Sequence, residues 1–333
     1  MTTATILTEL RQYPALLDTG AALIREVENG LARSPKSLAP WMFYDAWGSC
    51  LFERITTLPE YYPSRIEREM LVRFGEEIVA RVQPDLSQTL RVFELGAGTA
   101  AKTGILLEAA MRSHGRVTYV PCDVSPEALN QACASIESSL PAVHLQPILG
   151  NYVTHPPQLA RAKGTTLALY IGTSIGNFSP PAARTILCNL RSQMRSGDVL
   201  LLGTDLVKDE EILLAAYDDN QGVTADFNLN ILRRLNRELG ADFDSAGFRH
   251  RARWNRADSR IEMHLESLRE QNVRIPAAKL HVHFARGETI HTENSYKFTQ
   301  NTIGDLLDDA GFRIEQTWKD PLEWYALTLA GAE

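Results

Sequence analysis

Residues 92–103, Val-Phe-Glu-Leu-Gly-Ala-Gly-Thr-Ala-Ala-Lys-Thr, run an apolar, β-rich stretch straight into a glycine turn and then into a helix-forming segment. Gly96 and Gly98 carry no Cβ, so a ligand can approach the backbone there, and the free N–H groups of the helix start beyond them suit a polar one. A second apolar run, Thr-Tyr-Val-Pro-Cys-Asp, ends at Asp123, where a carboxylate could hold both hydroxyls of a ribose. Together these features describe a nucleoside-binding site. A dinucleotide turn would want a third glycine at position 101, which is alanine here, a change that the looser form of that fingerprint tolerates. The turn alone leaves both NAD and S-adenosylmethionine (SAM) open, beside a glycine turn that binds nothing.

The sequence Glu94-Leu95-Gly96-x-Gly98-Thr99 has the form typical of class I SAM-dependent methyltransferases, and on that ground SAM is the expected cofactor, with S-adenosylhomocysteine as its product. Asn151 and Tyr152, in Gly-Asn-Tyr-Val at the end of a third apolar run, stand where the adenine would lie. Asn151 could pair with its amino group and Tyr152 could cover its face; plain core packing is the alternative for Tyr152.

Such a site needs strands to aim its turns. From about residue 92 to 204, RVFELG, RVTYVPCD, VHLQPILG, TTLALYIG and DVLLLGTD alternate with helical stretches, the rhythm of a parallel sheet with crossover helices. Leu and Ile recur at helical spacing in AKTGILLEAAMRSHG, and Ser125 is a good N-cap for SPEALNQACASIESSL. Residues 210–239 are helical in pattern with a break at Gly-Val-Thr. The stretch KLHVHFARGETIHTENSYKF predicts a two-strand hairpin turning at Arg286-Gly287. The expected fold is therefore α/β: a Rossmann-like class I methyltransferase domain over 67–207, and a second α+β substrate lobe built from both chain ends, 1–66 and 208–333.

Bulk properties narrow the function. Of 333 residues, 44% are apolar and 23% charged, ordinary globular values. The net charge of −7, without any Lys/Arg run, argues against a long nucleic acid as substrate. Cys50, Cys122, Cys133 and Cys188 form no CxxC pair, so neither a disulfide framework nor a zinc site is expected, and a reducing cytosol fits best. The first residues lack a basic start followed by a long apolar run, and no stretch is long enough to span a membrane. A cytoplasmic monomer with no metal is expected.

Along nearly its whole length the chain resembles the histidine-specific Nα-methyltransferases that make hercynine on the ergothioneine pathway. The resemblance is carried by PKSLAPWMFYDAWGSCLFERITTLPEYYPSRIE, ELGAGTAAKT, YIGTSIGNFSP, LLGTDLVKDEEILLAAYDD, GVTADFNLNILRRLNRELGADFD, RIEMHLES and TENSYKF. It implies that Gly96, Lys102, Asp123 and Asn151 line the SAM site, although the family more often has Asp than Asn at position 151. For L-histidine it implies that Tyr61, Asn177 and Tyr217 hold the α-carboxylate, with Asn177 and the Gly172 carbonyl near the amine. It places Tyr44 facing the amine, Met263 near the imidazole, and Glu293 and Ser295 on the two ring nitrogens. The chemistry of that last pair is consistent: a carboxylate and a hydroxyl two residues apart on a strand share a face, and imidazole offers one donor and one acceptor. Phenylalanine would leave both groups unpaired.

Other readings stand beside these. Tyr44 and Tyr61 lie in aromatic-rich segments where buried structural tyrosines are usual, Glu293 could face solvent from a hairpin, Asn177 could shape a turn, and Met263 could be core. The period-two spacing of His281, His283 and His291 reads as a strand surface rather than a metal site. Rival functions are a methyltransferase of tryptophan, against which Glu293 and Ser295 argue because indole has a single donor, a NAD-dependent oxidoreductase, and a non-catalytic SAM-binding subunit.

Overall fold

The computed structural model describes residues 11–12, 19–82, 88–152, 158–159 and 164–333. Val153 of the Gly-Asn-Tyr-Val segment and most of the first eighteen residues lie outside them. The chain divides into two compact units. One comprises 1–16, 66–206 and 298–333, the other 17–65 and 207–297.

The first unit is built on a nine-stranded sheet. Its parallel strands run in the order Ile148–Leu149, Val117–Asp123, Leu90–Leu95, Thr166–Tyr170, Val199–Asp205. Leu90–Leu95 and Val199–Asp205 are buried at every position, as befits strands covered on both faces. The short runs His144–Leu145 and Ile148–Leu149 share what the sequence suggested was one strand, with Gln146-Pro147 between them. The helices form where the sequence placed them. Pro126–Ser139 starts with Ser125 accepting the Ala128 N–H at 3.1 Å, and Thr103–His114 stops at Gly115 in the left-handed region, φ 66°. Strand order reverses between Leu90–Leu95 and Thr166–Tyr170, whose carboxyl ends flank the crevice where open α/β sheets hold ligands.

The C-terminal segment, expected in the substrate lobe, belongs to this sheet instead. Tyr325–Ala332 lies antiparallel between Val199–Asp205 and Phe312–Lys319. The reason is in its composition: Tyr-Ala-Leu-Thr-Leu-Ala-Gly-Ala is buried throughout, and such a strand needs neighbours on both edges and cover on both faces. Arg11–Gln12, also expected in the lobe, pairs with Ile148–Leu149.

The second unit has a four-stranded sheet in the order Lys36–Ser37, Thr289–Tyr296, Arg260–Ser267, Phe248–Asn255. The helices Glu210–Tyr217 and Val223–Leu239 break at Gly222, φ 71°, as Gly-Val-Thr suggested. Asp219 caps the second of them, accepting N–H groups of Gln221, Val223 and Thr224 at 3.1, 3.0 and 2.7 Å. The predicted hairpin is corrected. A tight turn at 285–288 does form, with Gly287 at φ 83°. However, Leu280–Phe284 pairs with Gln271–Ile275, while Thr289–Tyr296 pairs with Arg260–Ser267. The Gly287 N–H donates to the Ser267 carbonyl at 2.8 Å, so the turn hands the chain from one sheet to the next rather than folding it back on itself.

Gly203, in the middle of Val199–Asp205, admits two large neighbours. A Cβ there would collide with the Tyr325 hydroxyl and stand 2.6 Å from Glu67 Oε1. Gly203→Ala is expected to cost about 1–3 kcal/mol of stability through overpacking, read as a lowered midpoint in calorimetric melting.

Candidate active site

In the first unit the glycine turn hangs from the neighbouring strand: the N–H groups of Gly96 and Ala97 both donate to the Cys122 carbonyl, at 2.8 and 3.2 Å. Gly96 and Gly98 take φ of 71° and 52°, left-handed values that favour glycine. Apart from its chain neighbours, no atom of the described residues lies within 4 Å of where a Gly98 Cβ would be, and such a cradle fits a nucleoside cofactor. Asp123 is locked against this turn, Oδ2 accepting the Gly98 N–H and Oδ1 the Ser125 N–H, both at 3.0 Å. Burial pushes its carboxyl up against the pull of these backbone donors. A carboxylate has about four acceptor sites, and with the backbone of Ser125, Gly98 and Val124 bonded to it Asp123 keeps capacity for a ribose hydroxyl. Tyr152 places its hydroxyl 3.1 Å from the Gly96 Cβ position, with its ring edge-on to Tyr170 at 5.8 Å. It covers the turn. Asn151 precedes it, half-buried.

Lys102 and Gly172 are joined by Glu67, a residue that sequence reading missed. This fully buried carboxylate takes the Lys102 ammonium on Oε2, and on Oε1 the Gly172 N–H at 2.8 Å together with the Tyr325 hydroxyl. Gly172, φ 88°, and Thr173, φ 64°, both take left-handed values after Thr166–Tyr170, strained for the β-branched Thr173, and Asn177 ends the 3-10 turn that follows. Glu67 sits among charged neighbours in a helix, and nothing in its spacing marks it as the buried one.

In the second unit the strand Thr289–Tyr296 carries the imidazole candidates. Pairing runs Met263 with Glu293 and His264 with His291, which leaves Thr292 as a bulge. The extra residue resets the alternation, so Thr292 and Glu293 are both buried, followed by Ser295 and Lys297. Ser295 Oγ and Tyr217 Oη share a hydrogen bond of 2.6 Å, and Lys297 donates to both, at 2.8 and 2.9 Å. Lys297 was also missed, although it continues the i, i+2 series of Glu293 and Ser295. Burial raises the Glu293 carboxyl to about 8, opposed by the charge of Lys297. Met263, directly opposite Glu293 and 2% exposed, contributes apolar surface to that burial.

A hydrogen-bonded chain secures this face from behind. The Thr292 hydroxyl lies 2.8 Å from Asn228 Oδ1 and 3.0 Å from the Met263 carbonyl, sharing one proton between them. Asn228 Nδ2 donates to the Met263 neighbour His264 at its carbonyl, 3.1 Å, and to His250 Nδ1, 2.8 Å. His250 therefore carries its proton on Nε2 and donates it to the Tyr217 carbonyl at 2.8 Å. Burial keeps this ring below its ordinary pKa, which preserves the neutral form the chain requires.

Tyr61 meets Tyr217 edge-on, centroids 6.3 Å apart, and Phe52 links it onward to Tyr44 at 6.5 and 5.7 Å. Tyr61 is buried, while Tyr44 is 37% exposed and also edge-on to Phe227 at 5.8 Å. Asp45 anchors the segment beside it, accepting from Gly48 N–H, Asn230 Nδ2 and Arg237 at 2.7, 2.8 and 2.6 Å.

A family model described as histidine-specific methyltransferase, SAM-dependent, matches residues 23–332. The chain is 42% identical over 321 residues to a histidine N-alpha-methyltransferase of Mycolicibacterium smegmatis, covering 96% of this chain and 98% of that one. It is 30% identical to the N-methyltransferase fsqC of Aspergillus fumigatus, over 94% of this chain and 85% of the other. Ergothioneine biosynthesis protein 1 of Neurospora crassa is 30% identical over 85% of this chain, which spans 32% of that longer protein.

A carboxyl raised from 4.5 to about 8 binds more protons folded than unfolded across that interval, so its contribution to stability falls as pH rises through it. Glu293→Gln removes this slope. The variant is expected to gain stability relative to the parent between about pH 5 and 8, the gap widening with pH, as read by urea unfolding at several pH values.

Proposed function

Because this chain belongs to the histidine-specific, SAM-dependent methyltransferases, we propose that it methylates the α-amine of L-histidine three times to give hercynine, the first step of ergothioneine biosynthesis. The observation that carries the substrate is the buried carboxyl of Glu293 beside the buried hydroxyl of Ser295, a donor–acceptor pair matched to the two nitrogens of an imidazole. Tryptophan would satisfy one of these groups and phenylalanine neither.

SAM, when bound, supplies an electrophilic methyl group on a sulfonium whose leaving sulfide is neutral. The residues suited to hold it are Gly96, Lys102, Asp123, Asn151 and Tyr152. Tyr61, Asn177 and Tyr217 are assigned to the α-carboxylate, the Gly172 carbonyl and Asn177 to the amine, and Met263 to the wall of the imidazole pocket. With no anion developing on the leaving group, the protein contributes mainly position: the amine must be held in line with the methyl. The amine attacks only when unprotonated and each transfer releases one proton, for which water beside the partly exposed Tyr44 offers an exit. The trimethylated product bears a charge that cannot be deprotonated, and the sequence stops there. On this reading the protein works as a cytoplasmic monomer on a small molecule, and its four free cysteines suit a reducing compartment. Among the described residues no helix is long and apolar enough to cross a membrane.

Calorimetric titration with histidine, tryptophan and phenylalanine, with and without S-adenosylhomocysteine, tests the assignment. Histidine is expected to bind selectively and to lose about tenfold or more in affinity in Glu293→Ala, the scale of a hydrogen bond to a charged group. Preference for tryptophan, or histidine binding indifferent to Glu293, would overturn the substrate. Tyr44→Phe is expected to slow the later methylations, seen by mass spectrometry as accumulated mono- and dimethylhistidine, with histidine affinity little changed. Equal loss of both would remove Tyr44 from the amine.

A further inference from the structure

The helix Glu210–Tyr217 is eight residues long and ends on the residue whose phenol meets Ser295. So short a helix depends on outside contacts for its position. Asp218 leaves it at φ −146° and ψ 67°, outside the left-handed conformation that closes many helices, and the Tyr217 carbonyl is met by the His250 ring at 2.8 Å. The other ring nitrogen of His250 meets the Asn228 amide at 2.8 Å, and through Asn228 and Thr292 the contact continues to the bulge that turns Glu293 inward. We propose that His250, neutral and carrying its proton on Nε2, is a positioning residue: it sets the helix end bearing Tyr217 in register with the strand bearing Glu293 and Ser295, and so shapes the histidine pocket. The proposal rests on the histidine reading above, in which His250 itself is assigned no contact with substrate.

The polarity of the chain is fixed at both ends by groups that only accept. The Tyr217 carbonyl requires a proton on His250 Nε2, and the His264 carbonyl, 3.1 Å from Asn228 Nδ2, requires the amide nitrogen on that side. Asn228 therefore turns its second N–H to His250 Nδ1, which must accept, and leaves Oδ1 for the Thr292 hydroxyl. One tautomer and one charge state satisfy this arrangement. A proton on Nδ1 would face an N–H, and flipping the amide to receive it would set Oδ1 against the His264 carbonyl. Burial lowers the ring's pKa, against the Tyr217 carbonyl and the charges of Asp218 and Asp219, and so favours the form that the geometry requires. Asp219 is committed to the N–H groups that start the next helix, and the strand Arg260–Ser267 offers Leu265 opposite His250. Histidine, on the proposed assignments, draws on the Tyr217 and Ser295 hydroxyls in front, and the tie behind them is one that it does not compete for.

The test reads the ring and the pocket separately. Ring nitrogen shifts of His250, identified by their absence in His250→Gln, are measured by NMR in the free protein at neutral pH. Histidine affinity with S-adenosylhomocysteine present, and S-adenosylhomocysteine affinity alone, are measured by calorimetry for wild type, His250→Gln, His250→Asn and His250→Leu. The ring is expected to be neutral, with its proton on Nε2. Glutamine can give an N–H to the Tyr217 carbonyl and an oxygen to Asn228, and is expected to keep histidine affinity within about threefold of wild type. Asparagine reaches one partner and leucine neither, which leaves polar groups of the buried Tyr217 and Asn228 unpaired; both variants are expected to weaken histidine binding about tenfold or more with S-adenosylhomocysteine affinity little changed. A proton on Nδ1, equal histidine affinity in the leucine and glutamine variants, or a parallel loss of S-adenosylhomocysteine affinity in the leucine and asparagine variants overturns the proposal. Tyr217→Phe and Glu293→Ala locate a failure of the reading beneath it: if neither weakens histidine binding, the pocket assignment is wrong and the proposal falls with it, whereas if either does, the His250 variants decide the proposal alone.

Discussion

Burying ionisable groups is the constraint that organises the second unit. A carboxyl, two hydroxyls and an ammonium sit on or against one strand, and each would be costly alone. The bulge at Thr292 is the device that makes the arrangement feasible. Strict alternation from Ile290 would have turned Glu293, Ser295 and Lys297 to the opposite face; one extra residue brings them in. The bulged residue is then held by Asn228, which also holds His250, which holds the end of the helix bearing Tyr217. The positions of Glu293 and Tyr217 are thus tied through one continuous chain of hydrogen bonds, every donor and acceptor of which has an assigned direction once His250 is neutral.

The first unit answers a similar problem with a single carboxylate. Glu67 joins a lysine assigned to the cofactor, the backbone of a strained turn assigned to the substrate, and a tyrosine of the inserted antiparallel strand. The absence of a side chain at Gly203 leaves room for that meeting. Strain at Thr173 persists because the turn is over-determined by this anchor and by the strand before it. The two turns that end adjacent parallel strands, at Gly96 and at Gly172, are therefore rigid for different reasons: one by backbone bonds to Cys122 and Asp123, the other by a buried ion.

Much of this was legible in residue order because its causes are local. Glycines at 96, 98 and 222, the N-cap Ser125 and the alternation of apolar runs with helical ones act over a few residues, and the parallel sheet and its helices formed as their patterns suggested. The resemblance singles out Glu293 and Ser295, and their types are compatible with an imidazole's donor and acceptor. What required tertiary structure was pairing between segments far apart. The uniformly apolar Tyr325–Ala332 could be read as a strand, but only its neighbours decide that it enters the large sheet. The turn at Gly287 is plain in the chain, yet hydrogen bonds to Ser267 and to Gln271–Ile275 decide that its two strands part company. Glu67 lies 105 residues from the amide it holds, and Lys297 lies 80 from the phenol it bonds. The period-two series of Glu293, Ser295 and Lys297 gives a shared face but not its partners, because a buried ion is chosen by the groups that fold around it and not by its neighbours along the chain.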